Sequence, residues 1–349
     1  MRRKSRFLIL TAIVCWAFFF LSEDATARPH AYQGLNYVRK CQILNYDGVI
    51  LKSFPGDFCL FLNNGSFVSA SIDGLTLFDK ESKKIWSLRG HFHHQMNFTS
   101  DNKFILALTS YFESGQNKIR RDKFLKIDLE GHIVSESTSA WLFSEVKFDF
   151  PEWSFNKPID GQIVPFERSH FNSIYEIPEN LKSKKFNYLA KGGIVINSVS
   201  AGVFILSSDL KKVMAHWIFK HSNGHHVHDL QVTKEGQLIY FNNKNVDDEK
   251  GPYSSIEIWD PTSEKILWRY TAEPKQFFYS AAAGAVQVLD NDTLFFNDHE
   301  RGAFFVKKKS KKLISSNQYF FFERITAPSP MKLQMIKALN LKSFLENWK

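Results

Sequence analysis

The chain has 349 residues and a formal net charge of +9, with 44% hydrophobic and 23% charged residues. That composition is globular and excludes a disordered or collagen-like chain, and three cysteines are too few for a disulfide-built scaffold. Phenylalanine is abundant, at 34 residues, which suits packed sheets better than solvent-facing helices.

Residues 1–27 read as a leader outside the fold. Arg2, Arg3, Lys4 and Arg6 precede an apolar and small-residue run from Phe7 to Leu21, and Ala25-Thr26-Ala27 offers a cleavage site. That run is shorter than the about 20 residues a membrane span needs. A cleaved secretory signal is therefore expected, with an uncleaved anchor as the alternative, and the location is periplasmic or secreted. Without the leader's four basic and two acidic residues the formal charge is +7. This mild excess is compatible with steering small anions into a cleft. Cys41 and Cys59 remain, and an oxidising compartment allows one bridge between them.

From residue 61 onward the chain repeats itself. The stretch 61–88 runs through a polar turn, an apolar strand, a short turn and a strand carrying Trp86. The same order recurs over 189–217, closing on Trp217, and over 233–270, with Trp268 at its closing place. Weaker copies cover 99–134 and 289–316. The turn markers Asn64, Asn102, Gly192, Gly236 and Asn291 give spacings of 38, 44 and 55 residues, besides a 90-residue gap. That gap is either two units or one unit with an insertion. Units of about 40 to 50 residues, each of four strands, indicate an all-β protein built as a β-propeller. Six blades are expected over residues 28–326, the sixth assembled from Gln42–Lys52 and strands near 314–326. The closing tryptophans pack one blade on the next. Segment 135–168, rich in aromatics and proline, reads as a loop over one mouth. The run Lys307-Lys308-Lys309 with Lys311-Lys312 reads as a solvated hairpin turn, and no aromatic-interleaved basic stripe argues for nucleic acid. Ser329-Pro330 opens a C-terminal helix, 327–349, packed on the propeller.

The histidines carry the candidate chemistry. His94 and His228 each stand seven residues before a turn pair, Asp101-Asn102 and Glu235-Gly236, so two repeats place histidine at one phase of one strand. His170 precedes an apolar strand at the start of its own unit, and the equivalent place in the last unit falls near Gly284. Because the first strand of each blade lines a propeller's central channel, imidazoles far apart in sequence converge there. Near neutral pH such a group is nucleophile, general acid or base, or ligand. Histidines beside aromatics are commonly structural, which is the reading for His91, His93, His221 and His225, with a substrate contact as the alternative at His93. His93, Asn172 and Asp229 accompany the cluster as candidate substrate contacts, and Asp229 either caps a turn or orients His228. Three imidazoles plus water also suit zinc, but none of them has the close spacing of a familiar zinc motif, and no metal is expected.

The blocks at residues 93–108, 169–180, 225–243, 254–270 and 284–298 together resemble the bacterial arylsulfotransferase (aryl-sulfate sulfotransferase) family. The shared pattern is a histidine before a Gly- or Asn-centred turn, a His-x-Asn-Ser-Ile block, and a closing Trp-x-Tyr before a Gly-x-Val-Gln strand. The resemblance covers about residues 55–320. It implies an exported six-bladed propeller that moves a sulfuryl group between phenols without a nucleotide cofactor. It further implies His228 as nucleophile, with His94 and His170 as supporting catalytic residues and a small anionic aromatic substrate as partner. Membrane contact is expected only through an uncleaved leader. The family's arginine after the Asn-Ser-Ile block has Ser198 at about its place here. A non-catalytic ligand-binding propeller is the alternative function.

Overall fold

The computed structural model describes residues 37–39, 41–44, 50–56, 58–62, 64–112, 119–148, 166–167, 170–177, 192–199, 201–218, 227–247, 251–272, 275, 278–280, 284–288, 293–298 and 302–317. The expected leader, the expected C-terminal helix, His221 and His225 lie outside these residues.

Five four-stranded antiparallel sheets follow one another along the chain as the blades of a β-propeller. Blade 1 is β4 (Phe58–Phe61), β5 (Phe67–Ala70), β6 (Gly74–Phe78) and β7 (Lys84–Arg89). Blade 2 is β8 (His91–Phe98), β9 (Phe104–Phe112), β10 (Ile119–Asp128) and β11 (Ile133–Thr138), with β12 (Phe166–Glu167) added parallel to β10. Blade 3 is β13 (Phe171–Glu176), β14 (Ile194–Ser198), β15 (Gly202–Leu206) and β16 (Val213–Ile218). Blade 4 is β17 (Val227–Val232), β18 (Leu238–Asp247), β19 (Gly251–Asp260) and β20 (Lys265–Tyr270). Blade 5 is β21 (Ala285–Val288), β22 (Thr293–Asp298), β23 (Gly302–Lys307) and β24 (Lys312–Asn317). A sixth sheet, of three strands, precedes them: β1 (Tyr37–Arg39), β2 (Gln42–Leu44) and β3 (Ile50–Ser53).

Two sequence expectations are corrected here. Residues 314–317 belong to β24 and pair with β23 inside blade 5, so they do not complete the sheet made by residues 37–53; residues 318–326, the rest of the expected contribution, lie outside the described residues. The physical reason is local: a two-strand hairpin closes before a distant strand competes for its edge. The start of segment 135–168 is likewise not loop. Residues 135–138 finish β11, and Thr138 then caps a helix, α1 (Ser139–Glu145), by accepting from the Trp141 N–H. The 90-residue gap is thus one step between consecutive blades carrying an insertion.

The blades obey one pattern of burial. Inner strands such as β14 and β15 are buried on both faces, while the outermost β7, β16 and β20 are mostly exposed or half-buried. Covering both faces of a sheet needs neighbours, and four hydrophobic seams supply them, one between each pair of adjacent blades. The closing tryptophans sit on these seams. Trp86, Trp217 and Trp268 each donate an indole N–H to the outer hairpin of the next blade, at Leu129 O (2.7 Å), Pro261 O (3.1 Å) and Lys308 O (2.8 Å). Blade 2 has no tryptophan in β11; there Ser135 Oγ donates to Asp209 O of blade 3.

Turn chemistry repeats too. Asn102, Gly192 and Gly236, three of the sequence's turn markers, all have positive φ between the first and second strands of their blades. The lysine run is the β23–β24 turn, with Lys309 and Lys311 exposed. Cys41, in the β1–β2 turn, is disulfide-bonded to Cys59 of β4, closing an 18-residue separation that contributes about 3 kcal/mol. The bridge ties the three-stranded sheet to blade 1. No helix among the described residues is long and apolar enough to cross a membrane.

Candidate functional site

The innermost strands β8, β13 and β17 carry His94, Asn172 and His228, and each is interrupted there by a bulge. Their registers slip between Phe92 and Met96, between Phe171 and Ser173, and between His228 and Gln231. A bulge re-aims side chains out of the regular alternation. Among the described residues nine non-glycine residues have positive φ. Six lie in turns or after α1; the other three are His94 (54°), His170 (37°) and Asp229 (49°). Such backbone costs on the order of 1–3 kcal/mol per residue and persists where the surroundings over-determine it, typically at functional sites.

His94 and His170, from adjacent blades, meet edge to face with ring centroids 4.7 Å apart. The row continues along β8: His93 lies 5.0 Å from His94, and His91 lies 6.1 Å from His93. At its outer end His91 Nδ1 is 2.7 Å from Ser110 Oγ. His93 Nε2 is 3.0 Å from Asp122 Oδ1, a close electrostatic contact that is not aligned as a hydrogen bond. Both His94 and His170 are half-buried.

His228 lies on the next blade, 5% exposed, with Nδ1 2.6 Å from Asn243 Oδ1. Asn243 Nδ2 donates to Ser280 O at 2.9 Å, which fixes the amide so that its oxygen faces the ring. The imidazole therefore donates from Nδ1, and in its neutral form the lone pair lies on Nε2.

Register separates Asn172 from His170. Counting back four residues from the paired positions Phe98, Glu176 and Val232 reaches His94, Asn172 and His228. The phase-mate of the two histidines in blade 3 is thus Asn172, and His170 enters from just before β13. Asn172 is 3% exposed and lies in the seam: it donates to Val227 O at 2.8 Å and accepts from Asn197 Nδ2 and Ser173 Oγ. Ser173 Oγ in turn accepts from Leu230 N, so this cluster grips the backbone on both sides of His228. The same count in blade 5 reaches Gly284, where an added Cβ would sit 2.5 Å from the Phe241 ring, so that aromatic occupies the space.

Asp229 is 4% exposed and forms the hub of an axial network. Its Oδ1 accepts from Tyr175 Oη at 2.5 Å and from Gln95 Nε2; its Oδ2 accepts from Val286 N at 2.8 Å and Gln231 Nε2 at 3.2 Å. These donors come from the inner strands of four blades. Burial, and then the Asp229 carboxylate, push the Tyr175 phenol well above its ordinary pKa. Ser198, at the end of β14, is fully buried and accepts from Ala201 N at 3.1 Å, which makes it part of a tight hairpin. Among the described residues no group of three or more His, Cys, Asp or Glu side chains is arranged to hold a metal ion.

Gln95, Tyr175, Asn243 and Asp122 were not singled out by sequence. Gln95 had a signal, since it follows His94 at the phase of Asp229. Asp122, between Arg121 and Lys123, has the look of a solvated strand and gave none.

No family model matches the sequence, and no curated protein matches it. Solved structures share its fold. A protein of unknown function from Bacteroides caccae is 11% identical, with a TM-score of 0.50 over 81% of this chain and 92% of that one. The dihydro-heme d1 dehydrogenase NirN, in complex with DHE, is 13% identical with a TM-score of 0.42 over 82% of this chain and 54% of that one. The Cps50 β-propeller domain of Myceliophteria thermophila is 12% identical, with a TM-score of 0.42 over 82% and 72%. At these identities likeness concerns the fold alone.

Proposed function

We propose that the protein is an arylsulfotransferase-like enzyme, moving a sulfuryl group from an aryl sulfate to a phenol through a sulfo-histidine at His228. The observation that carries the reading is the tautomer of His228: with Nδ1–H directed at Asn243 Oδ1, Nε2 is the nucleophilic nitrogen. In the first step the Nε2 lone pair attacks sulfur. The sulfur–oxygen bond to the aromatic ring breaks and its electron pair leaves on the phenoxide, which takes a proton from His94 or His170. In the second step the acceptor phenol gives its proton to that imidazole and attacks sulfur; the nitrogen–sulfur pair returns to Nε2. General acid–base help of this kind contributes about 10²–10⁴-fold. The His94–His170 pair stands in for the family's arginine as the group facing the sulfuryl oxygens. Export is part of the proposal, supported by the leader pattern and by the Cys41–Cys59 bridge.

The test is intact-mass measurement of the protein after incubation with 4-nitrophenyl sulfate. A gain of one sulfuryl group, absent in His228→Ala, is expected, together with ping-pong transfer. Undiminished transfer by a folded His228→Ala protein would overturn the assignment. Ser198 in place of the arginine favours a second reading, a propeller that binds an aromatic anion without turning it over. Binding with neither adduct nor transfer across a panel of aryl sulfates selects it.

A further inference from the structure

We infer that Asp122 is a positioning residue for the imidazole row, so that anion binding by that row depends on the Asp122 carboxylate. The residue lies on β10, two strands out from the channel, yet its side chain is wholly buried. One oxygen, Oδ1, contacts His93 Nε2 at 3.0 Å; the other accepts from the backbone N–H of Phe171, next to His170, at 3.0 Å. Its own N–H donates to Ser139 Oγ at the start of α1. A single carboxylate thereby touches both sides of the His94–His170 contact, one through the ring of His93 and one through the backbone that gives His170 its positive φ.

Two comparisons argue that charge matters here. The seam between blades 3 and 4 is tied at the same level by neutral amides, Asn172 and Asn197, so joining blades does not require a carboxylate. Burying one is costly unless something nearby uses the charge. What faces it is His93, 8% exposed at the side chain, whose Nδ1 has no hydrogen-bond partner among the described residues. A buried orphan nitrogen is unusual in a folded protein and calls for a physical reason, which a bound ligand group would supply. The groups facing His93 are His91 and His94 on its own strand and Asp122 from β10, with His170 beyond His94.

The identity of the ligand rests on the sulfuryl reading; the positioning role does not. Both are followed across the imidazole range, about pH 5 to 8, on the whole mature protein. Histidine side-chain ¹⁵N NMR reads the titration of the row, and calorimetry reads 4-nitrophenyl sulfate binding. In Asp122→Asn the side-chain ¹⁵N signals of His94 and His170 are expected to shift, because the carboxylate that holds the His93 ring and the Phe171 N–H is gone. Binding at neutral pH is then expected to be about tenfold weaker. Asp122→Glu restores the wild-type profile in part. Unchanged ¹⁵N signals and an unchanged binding profile in Asp122→Asn would overturn the inference. If the wild type binds no aryl sulfate, the function proposal fails, while the NMR titration still decides the role of Asp122. Should Asp122→Asn not fold, His93→Gln replaces it: a shifted titration of His94 and His170 supports the row acting as a unit, and an unshifted one refutes it.

Discussion

Replacing Asp229 by Asn tests the axial network with little disturbance of the backbone. Asn tolerates the left-handed φ of 49°, so the side chain changes without strain being added. Wild-type Asp229 presents two acceptor oxygens to four donors: Gln95 Nε2, Tyr175 Oη, Val286 N and Gln231 Nε2. An amide keeps one acceptor oxygen and turns N–H groups toward the other two donors. The Tyr175 hydroxyl can rotate to accept, but Gln95 cannot make that adjustment with its Nε2, and neither can the Val286 amide. One or two buried donors are therefore left unmatched, at about 1–3 kcal/mol each. Guanidinium denaturation of Asp229→Asn should show a loss of about 1–6 kcal/mol with an unchanged m-value. Ultraviolet titration supplies a second readout. The Tyr175 phenol should ionise at lower pH than in the wild type, since the neighbouring negative charge is one cause of its elevation. A loss under about 1 kcal/mol, together with an unaltered tyrosine titration, would refute the hub.

Other outcomes follow from the same structure. Burial raises the Tyr175 and Tyr240 phenols in the folded state, helped by Asp229 and Glu257 respectively. Their contribution is thus fully present below the unfolded phenol pKa of about 10 and is lost as pH rises above it, which alkaline denaturation followed by circular dichroism will read. Trp→Phe at 86, 217 or 268 keeps the ring and removes the indole bond to the next blade. Each should cost about 1 kcal/mol in chemical denaturation, nearly additively because the seams are separate. Gly284→Ala drives a methyl into the Phe241 ring and should destabilise by about 1–3 kcal/mol by the same measurement. Asn243→Ala releases the tautomer of His228 and should lower aryl-sulfate turnover about 10–100-fold while leaving the fold intact by circular dichroism.

The repeat was legible in the sequence because its causes are local. Turn residues with positive φ and strand-length apolar runs recur at a nearly constant interval, and each closing tryptophan reaches the adjoining blade's outer hairpin. The turns and apolar runs specify a propeller without reference to any distant contact. The histidine row was legible in part: His94 and His228 share a phase, and His170 was placed near them. That Asn172, rather than His170, is their counterpart in blade 3 depends on a bulge of one residue, which periodicity does not register. Residues 314–317 were expected to contribute to a sixth blade, but they pair with β23, because the spacing of a strand along the chain does not say which sheet edge it joins.

What the chain determines by itself is the repeating unit, its turns, its interblade aromatics and the supply of imidazoles near the channel. Only the tertiary structure decides which polar groups meet. Gln95 and Asp229 are 134 residues apart and meet near the axis from blades 2 and 4, while Phe171 and Asp122 are 49 apart and meet across the seam between blades 2 and 3. A hydrogen bond needs its partners within a few tenths of an ångström. Stacking the blades brings about that closeness, and no spacing along a single strand carries the information.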